Sequence, residues 1–335
     1  MDILWRAVAP GRVNLIGDHT DYSGGLVLPM AIDLGTTVEG RRGGEEVRLV
    51  SDELSGEAVV ALDIVDPASV SPPWARYVAG VVSVLRPGDG FNGDVSTTLP
   101  IGAGLSSSAA LEVAVALALG FEGSSLELAL ACQQAEQQAS GVPSGVMDQL
   151  ASAGGVAGHA LLIDCSALTV EPVPVPEDVE VVVVHSGQSR HLVGSAYAER
   201  RAQCQAAEAV VGPLNLAELD AVASLSDPVV RARARHVVTE NERVRRFAAA
   251  LRTGDMAECG NLMVASHESL RDDFEVSTPR LDALVAELSA RPGVHGARLT
   301  GAGFGGCVVA LAEPGALAEG WHVKAVAGAR VMEVP

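Results

Sequence analysis

Between Trp74 and Leu85 the apolar residues Trp74, Tyr77, Val78, Val81, Val82 and Leu85 recur three and four positions apart, the spacing of one helix face. Pro72-Pro73 stands where such a helix begins. Ala109–Leu119 is apolar apart from Glu112 and predicts a buried helix too short to cross a bilayer. Ser125–Ser140 predicts another, stopped by Gly141-Val142-Pro143. Further helices are expected over Ser195–Val211, Pro228–Leu251, Met256–Leu270 and Thr278–Ala290. Shorter runs at Trp5–Ala9, Leu26–Ile32, Asp94–Leu99, Val179–His185, Gly296–Thr300 and Cys307–Leu311 are bounded by turn residues and predict strands. Thr37–Glu39 and Glu46–Ser51 read as a hairpin turning at Arg41-Arg42-Gly43-Gly44. Glu171 to Asp178 carries prolines at 172, 174 and 176 and reads as a stiff linker that no central strand would admit. Strands and helices therefore fall into two blocks without strict alternation. That pattern predicts an α+β fold of two domains, residues 1–175 and 176–335.

Composition narrows the chemistry. The chain has 335 residues, 48% of them hydrophobic, and a formal net charge of −19. Such a surface repels nucleic acid and anionic membrane, so small-molecule partners are expected. The arginines Arg231, Arg233, Arg235, Arg243, Arg245 and Arg246 alternate with Glu240 and Glu242 and fit a solvated helix face better than a nucleic-acid patch. Lys324 is the only lysine and lies in no motif, which excludes a Walker-type loop, a protein-kinase strand lysine and Schiff-base chemistry. The five cysteines are isolated and never spaced as Cys-x-x-Cys, so reduced thiols in a cytoplasmic protein are expected. The first residues, Met1 to Arg6, lack the basic and long apolar regions of a signal peptide.

Three segments gather polar chemistry. Arg12 to Tyr22 packs Asp18, His19 and Asp21 into four positions, a set of donors and acceptors suited to a polyol. Gly102-Ala103-Gly104-Leu105-Ser106-Ser107-Ser108 follows a strand and opens a helix, where glycines and the helix N-terminus favour an anion. Its serines could add hydrogen bonds or a hard magnesium ligand, and equally they could be a plain N-cap turn. Thr300 to Cys307 holds four glycines and is either a wide hairpin turn or a place of close approach to a ligand. Glu136 and Asp148 are open between solvated helix charges and a metal ligand with a proton acceptor.

Pro10 to Tyr22 closely resembles the sugar-binding signature of galactokinases, and Gly102–Ala110 and Thr300–Cys307 resemble motifs of the wider GHMP kinases. The likeness continues through Cys132–Glu136, Gly141–Gln149, Tyr197, Arg200–Cys204 and Ser266–Asp273, covering nearly the whole chain. It implies a two-domain GHMP kinase fold, with a ribosomal protein S5 domain 2-like N-terminal part, a ferredoxin-like α/β sandwich after it, and the active site between them. It also implies transfer of the ATP γ-phosphate, with Mg2+, to the anomeric hydroxyl of D-galactose; a monomer is the expectation, with the oligomeric state left open by the sequence. On this resemblance Asp148 and Arg12 are catalytic, and Asp18, His19, Asp21, Gly145 and Tyr197 contact sugar. Gly102 to Ser108 cradle the nucleotide, while Ser108 and Glu136 hold the metal, alone or with Ser107. Two departures stand out: Asp18 where the family commonly has Glu, and a start almost directly at the first strand. A kinase for N-acetylgalactosamine or L-arabinose, or a sugar-binding sensor without catalysis, remain as alternatives.

Overall fold

The computed structural model describes residues 3–188 and 193–334, with side chains in the second stretch from residue 196. Met1 and Asp2 of the amino-terminal reading lie outside the described residues, and so does the Ser195 side chain at the expected start of its helix. The first half runs through β1 (Leu4–Asn14), β2 (Leu26–Val27), β3 (Pro29–Arg42), β4 (Glu46–Ser51), β5 (Glu57–Ala61), α1 (Ala75–Leu85), β6 (Phe91–Thr97), α2 (Ser107–Ala118), α3 (Ser125–Ser140), α4 (Met147–Gly154), β7 (His159–Asp164) and β8 (Thr169–Pro174). The second runs through β9 (Glu180–His185), α5 (Val193–Val211), α6 (Leu219–Ala223), α7 (Pro228–Thr253), α8 (Met256–Asp272), α9 (Pro279–Ser289), β10 (Val294–Thr300), β11 (Cys307–Ala312), β12 (Trp321–Val323) and β13 (Arg330–Val334).

Local chemistry fixes several ends. Ser124 and Glu127 form a reciprocal capping box that starts α3, and Gly141, at φ 70°, ends it in the left-handed conformation. Asp227 accepts from the amides of Val229 and Val230 to start α7, with Pro228 at its first position. Ser106 breaks the pattern. It precedes α2 at φ 60°, yet its side chain does not cap the helix.

Strand order in the main sheet is β13-β1-β3-β6-β4-β5, and a second sheet runs β10-β11-β9-β12. The expected β3–β4 hairpin is not formed, because β6 lies between them, antiparallel to β3 and parallel to β4. The amide of Gly43 donates to Gly90 (2.8 Å) and that of Gly90 to Gly44 (2.9 Å), so the glycine pair binds the chain entering β6. Gly40 pairs with Gly93 across β3 and β6, where a β-carbon on either would strike the opposite backbone. Half of the expected linker is strand β8, held on the edge of the sheet β2-β7-β8, the position that tolerates Pro172 and Pro174. Strand β1 also runs further than its apolar run, to Asn14, with a bulge between Pro10 and Arg12. A β-carbon on Gly11 would sit 2.5 Å from the Leu105 carbonyl, so glycine lets β1 touch the turn before α2.

Two apolar cores result, one under the main sheet against α1 to α4, the other between the second sheet and helices α5, α7 and α9. Helix α7 belongs to both: Val244, Phe247 and Ala248 enter the first core, Ala234 and Val237 the second. Burying a side chain such as Phe247 contributes about 1.5–3 kcal/mol, so α7 ties the halves together. The last strand, β13, returns to pair with β1.

Candidate functional site

Arg12, late in β1 and 5% exposed, reaches Asp148 in the first turn of α4. Its Nε donates to Oδ1 at 2.7 Å and a terminal nitrogen to Oδ2 at 2.8 Å, a planar two-point pairing that a lysine could not make. The other terminal nitrogen donates to the Gly104 carbonyl at 2.8 Å. The Ser106 hydroxyl, absent from its expected cap, donates to Asp148 Oδ2. One arginine thus fixes both the glycine turn and the carboxylate.

On one side of this pair lies a cavity of about 220 Å³ whose lining includes Arg12, Asp18, His19, Asp21, Glu136, Gly145, Asp148 and Tyr197. Asp21 has its carboxyl pushed up to about 7 by burial, reinforced by the charge of Asp148. A β-carbon on Gly145 would overlap Asp21 Oδ2, so only glycine lets that loop close on the acid. His19, at φ 66°, donates from Nε2 to the Ala302 carbonyl (3.2 Å), which leaves Nδ1 to accept from the Tyr22 hydroxyl (3.0 Å). Burial lowers it to about 3, so the ring is neutral. Asp18 lines the cavity but is held from behind. Its Oδ1 accepts from the Gly301 amide (3.0 Å), and Oδ2 lies 2.7 Å from the fully buried Arg298.

On the other side of the same pair is a cavity of about 370 Å³ lined by Arg12, Ile101, Gly102, Gly104, Ser106, Ser107, Ser108, Asp148 and His185. Gly102 (φ 77°), Gly104 (φ 83°) and Ser106 all lie in the left-handed region, which exposes the turn's backbone at the N-terminus of α2. Ala103 and Leu105, also expected here, are 2% and 1% exposed and do not line it; their apolar side chains anchor the turn in the core. Ser107 and Ser108 also line a third cavity of about 670 Å³ that contains Trp74, Tyr77, Leu54 and Leu111.

Ser108 donates to Glu136 Oε1 at 3.0 Å, and Glu136 Oε2 accepts from Ser144 (3.0 Å) and Gln149 (2.8 Å). Among the described residues no group of three His, Cys, Asp or Glu side chains is arranged to hold a metal unaided. One carboxylate and one hydroxyl fit magnesium, which keeps waters and takes its remaining ligands from substrate phosphates.

The family model for the galactokinase galactose-binding signature matches residues 3–42, and those for the GHMP kinase N-terminal and C-terminal domains match 76–155 and 247–322. Galactokinase of Roseiflexus sp. (strain RS-1) is 46% identical over 327 residues, covering 91% of this chain and 82% of that protein. Galactokinase of Homo sapiens is 45% identical over 329 residues, covering 92% and 83%. The chain belongs to the galactokinase family. A solved Lactococcus lactis galactokinase with galactose bound superposes with a TM-score of 0.90 at 32% identity, covering 98% of this chain and 95% of that one. A mevalonate kinase structure, at TM-score 0.67 and 21% identity, shares the GHMP kinase fold.

Some residues in or near these cavities gave no clear sign in the sequence. Trp74 and Tyr77 read there as one apolar helix face, although both line the third cavity. Glu112 showed only as a charge in an apolar helix. It is fully buried, accepts from Gln149 Nε2 at 3.1 Å, and burial pushes its carboxyl well above the usual range.

Proposed function

We infer that this chain is an ATP-dependent galactokinase that makes α-D-galactose 1-phosphate and ADP in the space where the two cavities meet at Arg12 and Asp148. The observation that carries this reading is the shared pair: Arg12 and Asp148 line the polyol cavity and the glycine-turn cavity alike. In this reading Asp21, Tyr197 and the backbone around Gly145 bind the sugar. Asp148 accepts the proton of the anomeric hydroxyl as that oxygen attacks the γ-phosphorus. Arg12 holds the Asp148 carboxylate in place and offsets the charge gathering on the transferred group. The amides of Gly102 to Ser108 cradle the phosphates, and the Trp74 cavity takes the adenine. Ser108 and Glu136 would hold Mg2+, which when bound neutralises phosphate charge during transfer. Asp18 and His19 act as walls of the sugar site, since their polar atoms are engaged within the protein.

Residues 1–175 and 176–335 form the two domains of this reading, with β13 crossing back to the first. We place the enzyme in a reducing cytoplasm, in keeping with cysteines that stand isolated along the sequence. Among the described residues no helix is long and apolar enough to cross a membrane.

A panel of galactose, N-acetylgalactosamine and L-arabinose in a coupled ADP-release assay tests the reading, with magnesium and with chelator. Galactose is expected to give the highest kcat/KM, and chelator to abolish turnover. Turnover of another sugar with none of galactose would overturn the substrate assignment. Galactose and ATP binding without any turnover would favour the sensor.

A further inference from the structure

Residues 14–28 carry the sugar-site groups His19 and Asp21, yet much of what holds this loop comes from the second half of the chain. Glu240 Oε1 on α7 accepts from the Gly17 amide (3.0 Å) and from the Ser266 hydroxyl of α8 (2.5 Å). Asn241 Oδ1 accepts from the Leu26 amide at 2.7 Å. His236 Nε2 donates to the Asp18 carbonyl at 3.1 Å. Two glycines of the loop are pressed onto the same helix: a β-carbon on Gly17 would lie 2.9 Å from Val244 Cγ2, and one on Gly25 would lie 2.5 Å from Asn241 Oδ1. His236, Glu240 and Asn241 are at most 3% exposed, and none of them lines the sugar cavity.

A fully buried carboxylate is costly where an apolar side chain would pack as well, so its retention needs a reason. Glu240 faces Arg243 Nε at 2.6 Å and spends its other oxygen on the loop. We propose that Glu240 and Asn241 are positioning residues for the sugar: by holding the amides of Gly17 and Leu26 they set where His19 and Asp21 stand, without touching substrate. This rests on the sugar-kinase reading above.

The test compares Glu240→Gln and Asn241→Ala with Val237→Ala, a truncation of a fully buried residue on the same helix that faces the second core. Asn241→Ala leaves a buried amide without its acceptor, and the galactose KM is expected to rise about tenfold, with the ATP KM within about twofold. Glu240→Gln is expected to act in the same direction. Amide exchange over residues 14–28 should quicken in both while residues 102–118 stay protected. Val237→Ala should lower the melting temperature and leave the galactose KM in place. An unchanged galactose KM in both loop variants, or an equal rise in Val237→Ala, would overturn the proposal. If Glu240→Gln gives no folded protein, Ser266→Ala removes a donor to the same carboxylate and should raise the galactose KM about threefold. A wild type that phosphorylated no sugar would instead sink the kinase reading. Exchange over 14–28 would then decide alone, and unchanged rates there would refute the clamp.

Discussion

The glycine turn that opens α2 and the loop that carries Asp18, His19 and Asp21 are built in opposite ways. Residues 100–108 are shaped locally, by glycines and Ser106 at positive φ and by Ala103 and Leu105 plugged into the core beneath. Their ties to the rest of the site, Arg12 to Gly104, Ser106 to Asp148 and Ser108 to Glu136, all lie in the same half of the chain. Residues 14–28 depend on distant partners: α7 holds their amides, and Arg298 and Gly301 hold Asp18. The first region is thus shaped within one half of the chain, and the second is held by both halves. Arg12 and Asp148 sit where the two constructions meet.

Asp148→Asn strikes that meeting point and should have the largest effect. Turnover is expected to fall about 10³-fold, with galactose affinity by calorimetry nearly unchanged; equal activity would remove Asp148 from the chemistry. Arg12→Lys keeps the charge but loses the two-point grip, and should cost on the order of 10²-fold in kcat. Gly145→Ala forces a β-carbon onto Asp21 and should raise the galactose KM about tenfold while the ATP KM stays in place, because it damages only the sugar side. Gly102→Ala meets open space and suffers only backbone strain of about 1 kcal/mol at φ 77°, so the ATP KM should rise a few-fold and the galactose KM should not. If either glycine variant disturbed both substrates equally, the two regions would not be separate.

The smallest expected effect is on stability against pH. Burial opposes the charge of Glu240, but Arg243, His236 and Arg298 outweigh it and bring the carboxyl down to about 2. A group lowered on folding contributes stability that is full above its unfolded value of 4.5 and is lost as pH falls toward 2. Glu240→Gln should therefore be less stable at neutral pH and show a shallower loss of melting temperature between pH 4.5 and 2. An unchanged slope would mean that Glu240 carries no such charge. His19 and His236, lowered to about 3 and about 4, should add no step between pH 5 and 8.

What the sequence revealed follows the same division. The limits of α3 and the start of α7 were legible because Ser124, Glu127, Asp227 and Pro228 act on their own neighbours. The glycine turn before α2 was legible for the same reason, in glycines and serines that adjoin one another. The insertion of β6 between β3 and β4 was not, because it rests on pairing between segments far apart in the chain, Gly40 against Gly93 among them. Glu240 looked like a residue of a solvated arginine-rich helix, since nothing near it signals a partner more than two hundred positions earlier. Trp74 was hidden differently: its spacing is that of a core face, and it is largely buried while still lining a cavity.

A crystal structure of the protein with galactose and a non-hydrolysable ATP analogue bound tests the shared junction most directly. The anomeric oxygen is expected roughly 3–3.5 Å from the γ-phosphorus, beside Asp148 and with Arg12 between the two ligands. A nucleotide seated away from the Gly102–Ser108 turn, or a sugar with its anomeric carbon turned from Asp148, would contradict it.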